Sequence, residues 1–277
     1  MNVDIETHTL NLKHDVPFDD YLHWEIVSTS VLKEGRKSMA HMKAMFDGTR
    51  EIIVTDDMDL GSALHCAFLE PELMPEKVVL WEGKRRAGKE WDAFKGEHSD
   101  KVILTPGYYE KLQGMTKSLR KHQFVKEWYG RIQDVEVSGQ SEWCGVPIKG
   151  RCDALTDEPL VDLKKVADGD MRLFRRNAYH SGYHIQAAMY RRIFQRDRFV
   201  LLTVEATPPY DVVPYELEAD LLHHGETECI RLLQWWKNCC ENSRWPGRSD
   251  EIQTLDLPEW VGSEAAAGLM VGDVKAF

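Results

Sequence analysis

Two short stretches decide the fold, Ile148-Lys-Gly-Arg-Cys-Asp-Ala-Leu155 and Pro159-Leu-Val-Asp-Leu-Lys-Lys165. Both are short runs in which apolar and polar residues alternate, and the segment Thr156-Asp-Glu-Pro159 between them is typical of a tight turn. A second turn signal, Gly145-Val-Pro147, precedes the first stretch. The region from Val135 to Leu163 is therefore predicted to be a run of antiparallel strands.

The polar residues of these strands are placed for chemistry. Because side chains alternate between the two faces of a strand, Arg151 and Asp153 share one face, and Asp162 and Lys164 share a face of the next strand. Their apolar neighbours, Val161 and Leu163, point to the opposite side. Two carboxylates and an amine are thus predicted to converge.

This combination favours metal-assisted hydrolysis of a phosphodiester. Mg²⁺ is typically held by one or two carboxylates, waters and substrate phosphate, and Asp153 and Asp162 could supply those oxygens, with Mn²⁺ substituting. Lys164 could position the attacking water or stabilise charge on the phosphate. An isolated D-x-K is more often a solvated salt bridge, but here the motif lies in an apolar strand beside another acid.

Helical patterns surround the strands. They are predicted at Val31–Phe46, at Asp59–Glu70 with Pro71 as the stop, from about Pro106 to Tyr129, between Met171 and Phe194, and from about Ala219 to Cys240. Two further strands are predicted at Phe199–Ala206 and Val212–Leu217. This order predicts an α/β protein with a central mixed sheet flanked by helices.

Composition bounds the class of protein. The chain has 277 residues, a net charge of −11 and no apolar stretch of membrane-spanning length. The N-terminus is acidic, unlike a secretory signal, so we expect an intracellular protein without a membrane partner. The acidic balance argues against a protein that coats nucleic acid non-specifically, because such binding depends on Lys and Arg.

The six cysteines contain no C-x-x-C pair, so a disulfide framework is not expected. Cys229, Cys239 and Cys240 form a late group, but the adjacent pair is poorly placed to give two ligands to one cluster. We therefore expect buried structural thiols and no iron–sulfur cluster.

Four motifs in order resemble the RecB-like branch of the PD-(D/E)xK nucleases, and within it the RecE-type exonucleases of phages and prophages. They are G-x-x-x-H at Gly61–His65, G-R-x-D at Gly150–Asp153, D-L-K at Asp162–Lys164 and Q-x-x-x-Y at Gln186–Tyr190. Trp245-Pro-Gly and Leu257-Pro-Glu-Trp260 also resemble the end of RecE-type domains. The resemblance covers about residues 28–262, which leaves residues 1–27 as an N-terminal arm and 263–277 as a C-terminal tail.

The resemblance implies roles for individual residues. His65, Asp153 and Asp162 would be metal ligands, with the Leu163 carbonyl as a further ligand and Lys164 as the catalytic lysine. Gln186 and Tyr190 lie one helical turn apart and would hold phosphate or organise the site, although a pair packed under the sheet explains them nearly as well. Without the motif, His65 would more often be a structural histidine.

Several other residues are candidates for substrate binding. The densest basic group lies between Trp81 and Trp91 in a predicted surface loop and could bind backbone phosphates while the indoles stack on bases; a solvated charge run is the usual alternative. The candidates are Lys84, Arg85, Arg86, Lys89, Arg151 and Arg172, with Arg175 and Arg176 beside the last. Glu142 could be an outer acid of the metal site or a solvated strand residue.

The family implies a 5′-to-3′ exonuclease that acts on ends of linear double-stranded DNA and leaves 3′ single strands for an annealing protein. It also implies a ring-shaped homo-oligomer, possibly a tetramer, in the cytoplasm of a bacterial host and encoded by a phage or prophage. Two alternatives remain. One is an endonuclease or Cas4-like nuclease with the same residues, and the other is a DNA-processing partner that has lost catalysis.

Overall fold

A mixed sheet forms the centre of the protein. The computed structural model describes residues 11–51 and 53–257. The strands of the larger sheet are β1 (Asn11–Lys13), β2 (Val27–Ser28), β5 (Asp134–Trp143), β6 (Val146–Leu155), β7 (Leu160–Val166), β8 (Phe199–Glu205) and β9 (Val212–Glu216), and a small parallel pair comprises β3 (Val78–Leu80) and β4 (Val102–Leu104). The seven strands of the larger sheet lie in the order β1-β5-β6-β7-β8-β9, with β2 paired to β6. β7 and β8 are parallel, as are β2 and β6, and the other neighbours are antiparallel.

Helices cover both faces of this sheet. The helices are α1 (Phe18–Leu22), α2 (Thr29–Glu34), α3 (Met39–Phe46), α4 (Asp56–Leu69), α5 (Met74–Lys77), α6 (Lys89–Glu97), α7 (Pro106–Lys121), α8 (Gln123–Tyr129), α9 (Met171–His180), α10 (Tyr183–Phe194) and α11 (Ala219–Asn242). One hydrophobic cluster joins the sheet to α2, α3, α10 and α11, and a second joins it to α4, α7 and α8. The predicted α/β class with a central mixed sheet is confirmed.

The helix predicted over residues 31–46 is wrong as a single element, because α2 ends before Gly35 and α3 begins after Ser38. A Cβ at Gly35 would lie 3.0 Å from the Leu32 carbonyl oxygen. The Ser38 side chain accepts a hydrogen bond from the backbone N–H of His41 and so caps a new helix. Both short helices contribute buried residues to the same core, Leu32 from α2 and Met39 and Met42 from α3.

Three other predicted boundaries also change. The helix over 106–129 is interrupted at His122, whose backbone is extended, and the helical region from 171 is divided at Gly182, which has a left-handed φ of 67°. The basic loop is shorter than predicted, because α6 begins at Lys89. At His122 and Gly182, helical periodicity continues across a backbone break and hides it.

The N-terminal arm contributes to the sheet. β1 pairs with β5, and the buried Lys149 of β6 donates hydrogen bonds to the carbonyls of Tyr21, Leu22 and Trp24 at 2.7, 3.1 and 2.7 Å. The region of the arm from residue 11 is thus attached to the central sheet. The predicted tail at 263–277 and the Glu259-Trp260 end of the Leu257-Pro-Glu-Trp260 motif lie outside the described residues.

Among the described helices, none combines the length and apolar character needed to cross a bilayer.

Close packing of α10 on α11 depends on Gly225. A Cβ at this position would lie 2.2 Å from the backbone oxygen of His184, so Gly225→Ala should lower the free energy of unfolding by about 1–3 kcal/mol, the usual cost of overpacking. The matched control is Gly96→Ala in α6, where an added Cβ meets nothing within 4 Å. Denaturant unfolding of both variants measures the effect, and equal stability of the two would contradict this account of the helix contact.

Candidate active site

The site forms where β6 and β7 separate. The two strands share a single register pair, Ala154 with Val161. Beyond it, a side chain replaces the backbone ladder, because Asp153 Oδ2 accepts a hydrogen bond from the Leu163 N–H at 2.6 Å. The separation leaves the Leu163 carbonyl available to groups arriving from α4.

Helix α4 brings His65 to this opening. The helix begins where the Thr55 side chain accepts from the Met58 N–H, three acids in its first turn favour the positive end of the helix dipole, and it ends before Pro71. His65 Nε2 lies 3.1 Å from the Leu163 oxygen and Nδ1 lies 3.5 Å from Asp153 Oδ1. A Cβ at Gly61, one turn earlier, would contact the side chain of Lys165.

Mutual electrostatics control the His65–Asp153 pair. Burial disfavours the charged imidazole, but the Asp153 carboxylate outweighs burial and raises the pKa of His65 to about 9. Burial likewise favours the neutral form of Asp153, but the charges of His65 and Lys164 outweigh it and lower the pKa of this carboxyl. Asp153 is therefore an anion with a positive neighbour on each side.

Asp162 and Lys164 lie on the face of β7 that meets α10. Gln186 Nε2 donates to Asp162 Oδ1 at 2.6 Å, and Lys164 Nζ lies 2.6 Å from Asp162 Oδ2. The Lys164 ammonium also lies 5.0 Å from the ring centroid of Tyr183. Burial raises the pKa of Asp162, although the charge of Lys164 opposes this. The predicted convergence of Asp153, Asp162 and Lys164 is present in the structure.

Each of the two explanations considered for the Gln186–Tyr190 pair applies to one of its residues. Gln186 fixes a carboxylate of the site, whereas Tyr190 packs beneath the sheet, with its ring 5.7 Å from that of Phe194 and 6.3 Å from that of Phe199. A Cβ at Gly150 would lie 3.0 Å from Tyr190. The glycine of the G-R-x-D motif therefore makes room for the tyrosine of the last motif.

Glu136 of β5 is the residue that sequence reasoning missed. Its neighbours Val135 and Val137 pair with Ala154 and Cys152, which places Glu136 opposite Asp153. One ligand atom each from His65, Glu136 and Asp153 lies within 4.8 Å of the others. Glu136 has a left-handed φ of 52°, a conformation that no strand pattern predicts.

Glu142, the acid that sequence analysis considered, is elsewhere. It is exposed and pairs with Pro147 near the opposite end of β5. Six residues separate it from Glu136, or about 20 Å along a strand. Glu142 is therefore a solvated strand residue, and Glu136 is the β5 acid near Asp153.

Lys33 of α2 is a second residue that the motifs did not indicate. Its ammonium lies 5.2 Å from the Tyr183 ring that Lys164 also approaches. Burial and the charge of Lys164 lower the pKa of Lys33 to about 7. Among the described residues, no carboxylate forms an ion pair with it. Two amines from separate elements thus meet at one aromatic ring.

The predicted substrate-binding residues have different environments. Arg86 pairs with Asp56, donates to the Ile103 carbonyl and lies over the Trp91 ring, and Arg151 donates to Glu136 Oε2 at 2.8 Å and to the Val16 carbonyl at 2.7 Å. Both are engaged within the protein. The remaining candidates are exposed, namely Lys84, Arg85, Lys89 and Arg172.

The two tryptophans of the basic segment pack on each other, with ring centroids 5.4 Å apart. Their indoles therefore anchor this segment.

Of the late cysteines, Cys229 and Cys239 are buried and Cys240 is exposed. The Cys229 thiol lies 3.6 Å from the Ile185 carbonyl oxygen of α10.

The donor set fits a divalent cation. His65, Glu136 and Asp153 offer carboxylate oxygens and an imidazole nitrogen close together, and a bound ion would displace the proton of the imidazole. In addition, the buried Asp162 offers its Oδ2, whose neighbour is the Lys164 ammonium at 2.6 Å. Oxygen-rich sites with one imidazole suit Mg²⁺ or Mn²⁺.

A mixed sheet with Asp153 and the Asp162-Leu-Lys164 strand at its opening defines the PD-(D/E)xK nuclease fold. Residues 28–258 match the model of a family described as a PDDEXK-like domain of unknown function (DUF3799), and the chain belongs to this family.

One solved structure supports the fold. The crystal structure of a "putative exonuclease" from Eubacterium rectale is 13% identical, with a TM-score of 0.55 over 91% of this chain and 99% of that one. The crystal structure of SSO0001 is 17% identical and covers 70% of this chain and 88% of that one, but its TM-score of 0.31 is too low to establish a common fold. No curated protein shows significant similarity to the sequence.

Proposed function

We propose that the protein is a divalent-metal-dependent deoxyribonuclease. The observation that carries this proposal is the meeting of Asp153, Asp162 and Lys164 where β6 and β7 separate, with His65 delivered from α4. The family and the E. rectale neighbour support the nuclease class, because the family is described as a PDDEXK-like domain and the neighbour is called a putative exonuclease. Function is assigned from the site, since one fold can host several activities.

In this proposal His65, Glu136, Asp153 and Asp162 hold Mg²⁺ or Mn²⁺, with the Leu163 carbonyl as a further oxygen. The ion, when bound, polarises the phosphodiester and makes its bound water more acidic. The chain supplies the rest of the chemistry. Lys164 donates to the phosphate as charge develops, Gln186 keeps Asp162 oriented, and Lys33 gives a second amine for the substrate backbone.

The finer proposal is a 5′-to-3′ exonuclease of the RecE type, acting on linear duplex DNA in a bacterial cytoplasm and leaving 3′ strands for an annealing protein. It is supported by the four ordered motifs and their spacing. A ring-shaped homo-oligomer, possibly a tetramer, belongs to the same proposal because a chain of net charge −11 needs enclosure to stay on DNA. The exposed Lys84, Arg85, Lys89 and Arg172 would contact backbone phosphates.

Linear duplex DNA labelled at either the 5′ or the 3′ end, together with closed circular DNA, tests the function. With Mg²⁺ we expect early release of 5′-terminal nucleotides, an intact circle and no reaction in EDTA. Equal cleavage of the circle would indicate an endonuclease. Absence of cleavage with either Mg²⁺ or Mn²⁺ would favour a DNA-processing partner without catalysis.

Glu136 gives a specific test of the proposed ligand set. Glu136→Gln keeps an acceptor for Arg151 but removes a negative charge from the site, so the Mn²⁺ affinity should fall by about 10–100-fold. Cleavage should then require more metal and recover at saturating concentrations. The matched control is Glu142→Gln on the same strand. Calorimetric titration that finds equal Mn²⁺ affinity in both variants would remove Glu136 from the set.

A further inference from the structure

A second group of ligating side chains lies on the α10–α11 face, outside the proposed active site. It consists of His184 on α10 with His224 and Glu228 on α11, and one ligand atom from each lies within 4.8 Å of the others. His184 Nε2 is 2.8 Å and His224 Nε2 is 3.9 Å from Glu228 Oε2. Two imidazoles therefore lie close to a single carboxylate oxygen.

The helix packing builds this group. His224 and Glu228 are four residues apart on α11 and so project from the same face. Gly225, which lies between them, lets α10 approach until an added Cβ would be 2.2 Å from the His184 backbone oxygen. This close approach brings the His184 imidazole against the two α11 side chains.

Surrounding groups orient all three candidate ligands. Arg36 Nε lies 3.1 Å from Glu228 Oε1, which directs the other oxygen toward the imidazoles. The Tyr179 ring stacks on His184 at 4.9 Å, and its hydroxyl lies 3.4 Å from His224 Nε2. Such outer contacts are what hold ligands at protein metal sites.

Burial and access also suit a metal. The His184 side chain is 1% exposed and that of His224 is 51% exposed. One ligand is therefore fixed in the interior, whereas another lies at a solvent entrance.

The charges select the class of ion. Arg36 at 3.1 Å and Arg231 at 3.9 Å both form ion pairs with Glu228 Oε1. Because they offset the charge of this carboxylate, a hard ion that depends on carboxylate charge is disfavoured. Imidazole nitrogens bind Zn²⁺ and its first-row neighbours strongly. A site with three protein ligands and one solvent position is also a common zinc arrangement.

We propose that His184, His224 and Glu228 form a Zn²⁺ site that joins α10 to α11. Gln186, which donates to Asp162, lies two residues from His184 on the same helix. Occupancy of the zinc site would thus stabilise the helix that orients an acid of the active site. This inference is independent of whether the protein cleaves DNA.

The test uses the full chain without DNA, in excess Mg²⁺, with Zn²⁺ titrated by calorimetry and Co²⁺ followed by visible absorption. We expect wild type and His223→Ala to bind one more Zn²⁺ per chain than His224→Ala, whose affinity for that ion should fall by at least about tenfold. His223 is the matched control because it is an exposed neighbour on α11 outside the group.

A second readout guards against misfolding. Zn²⁺ should raise the melting temperature of wild type and His223→Ala but not that of His224→Ala or Glu228→Gln. The Co²⁺ spectrum of wild type should show the intense bands of four-coordination, and both variants of the site should lose them. Equal Zn²⁺ stoichiometry and the same Co²⁺ spectrum in wild type and His224→Ala would overturn the proposal.

Discussion

Lys164→Met is expected to lower the rate of DNA cleavage at saturating metal by about 10²–10⁴-fold, the range for loss of a positioned proton-transfer or charge-stabilising group. The ammonium lies 2.6 Å from Asp162 Oδ2 and beside Tyr183, within the group of acids proposed to hold the ion. An interaction realised in the transition state affects turnover more than binding. DNA affinity should therefore stay within a few-fold of wild type.

The matched control is Lys165→Met, the same substitution one residue further along β7. Lys165 forms an ion pair with Asp57 of α4 and presents its side chain to Gly61. Single-turnover cleavage and equilibrium binding of both variants separate catalysis from affinity. Equal rates in the two variants, or a loss in Lys164→Met that appears only in DNA binding, would contradict the role proposed for Lys164.

The strand and helix patterns of the sequence were sufficient to predict the central part of the site. Alternation on β7 puts Asp162 and Lys164 on one face, and the helical pattern over Asp59–Glu70, with Pro71 as the stop, places His65 on a helix. Both elements are local and regular, so residue spacing alone fixes which side chains share a face. The mixed sheet followed from the order of these elements along the chain.

Other parts of the site depend on contacts that local patterns do not encode. Glu136 reaches the Asp153 side through a left-handed backbone within a strand, which period-two alternation cannot show. Lys33 meets Lys164 only because α2 packs near the start of α10. Arg86 and Arg151 look like free basic residues in sequence, but the fold supplies carboxylate partners for both.

Asp153→Asn is expected to lower cleavage by more than about 10²-fold. Loss of a residue that only contacts a metal ligand typically costs about 10–100-fold, and Asp153 is itself a proposed ligand. Its carboxylate faces His65 at 3.5 Å and belongs to the same close group as Glu136. The amide removes the negative charge that a cation requires. One carbonyl oxygen remains to accept from the Leu163 N–H, so the separation of β6 and β7 should persist.

The matched control is Asp157→Asn in the turn that follows β6. Asp157 is exposed and accepts from the Gln133 side chain at 2.7 Å, so the same chemical change occurs a few residues away but outside the site. We expect wild-type cleavage in Asp157→Asn, weakened Mn²⁺ binding only in Asp153→Asn, and cooperative unfolding in both. If Asp153→Asn unfolds cooperatively and still cleaves at the wild-type rate in limiting Mg²⁺, the acid that holds the ion must be sought elsewhere, since a neutral amide at the centre of the site would then suffice.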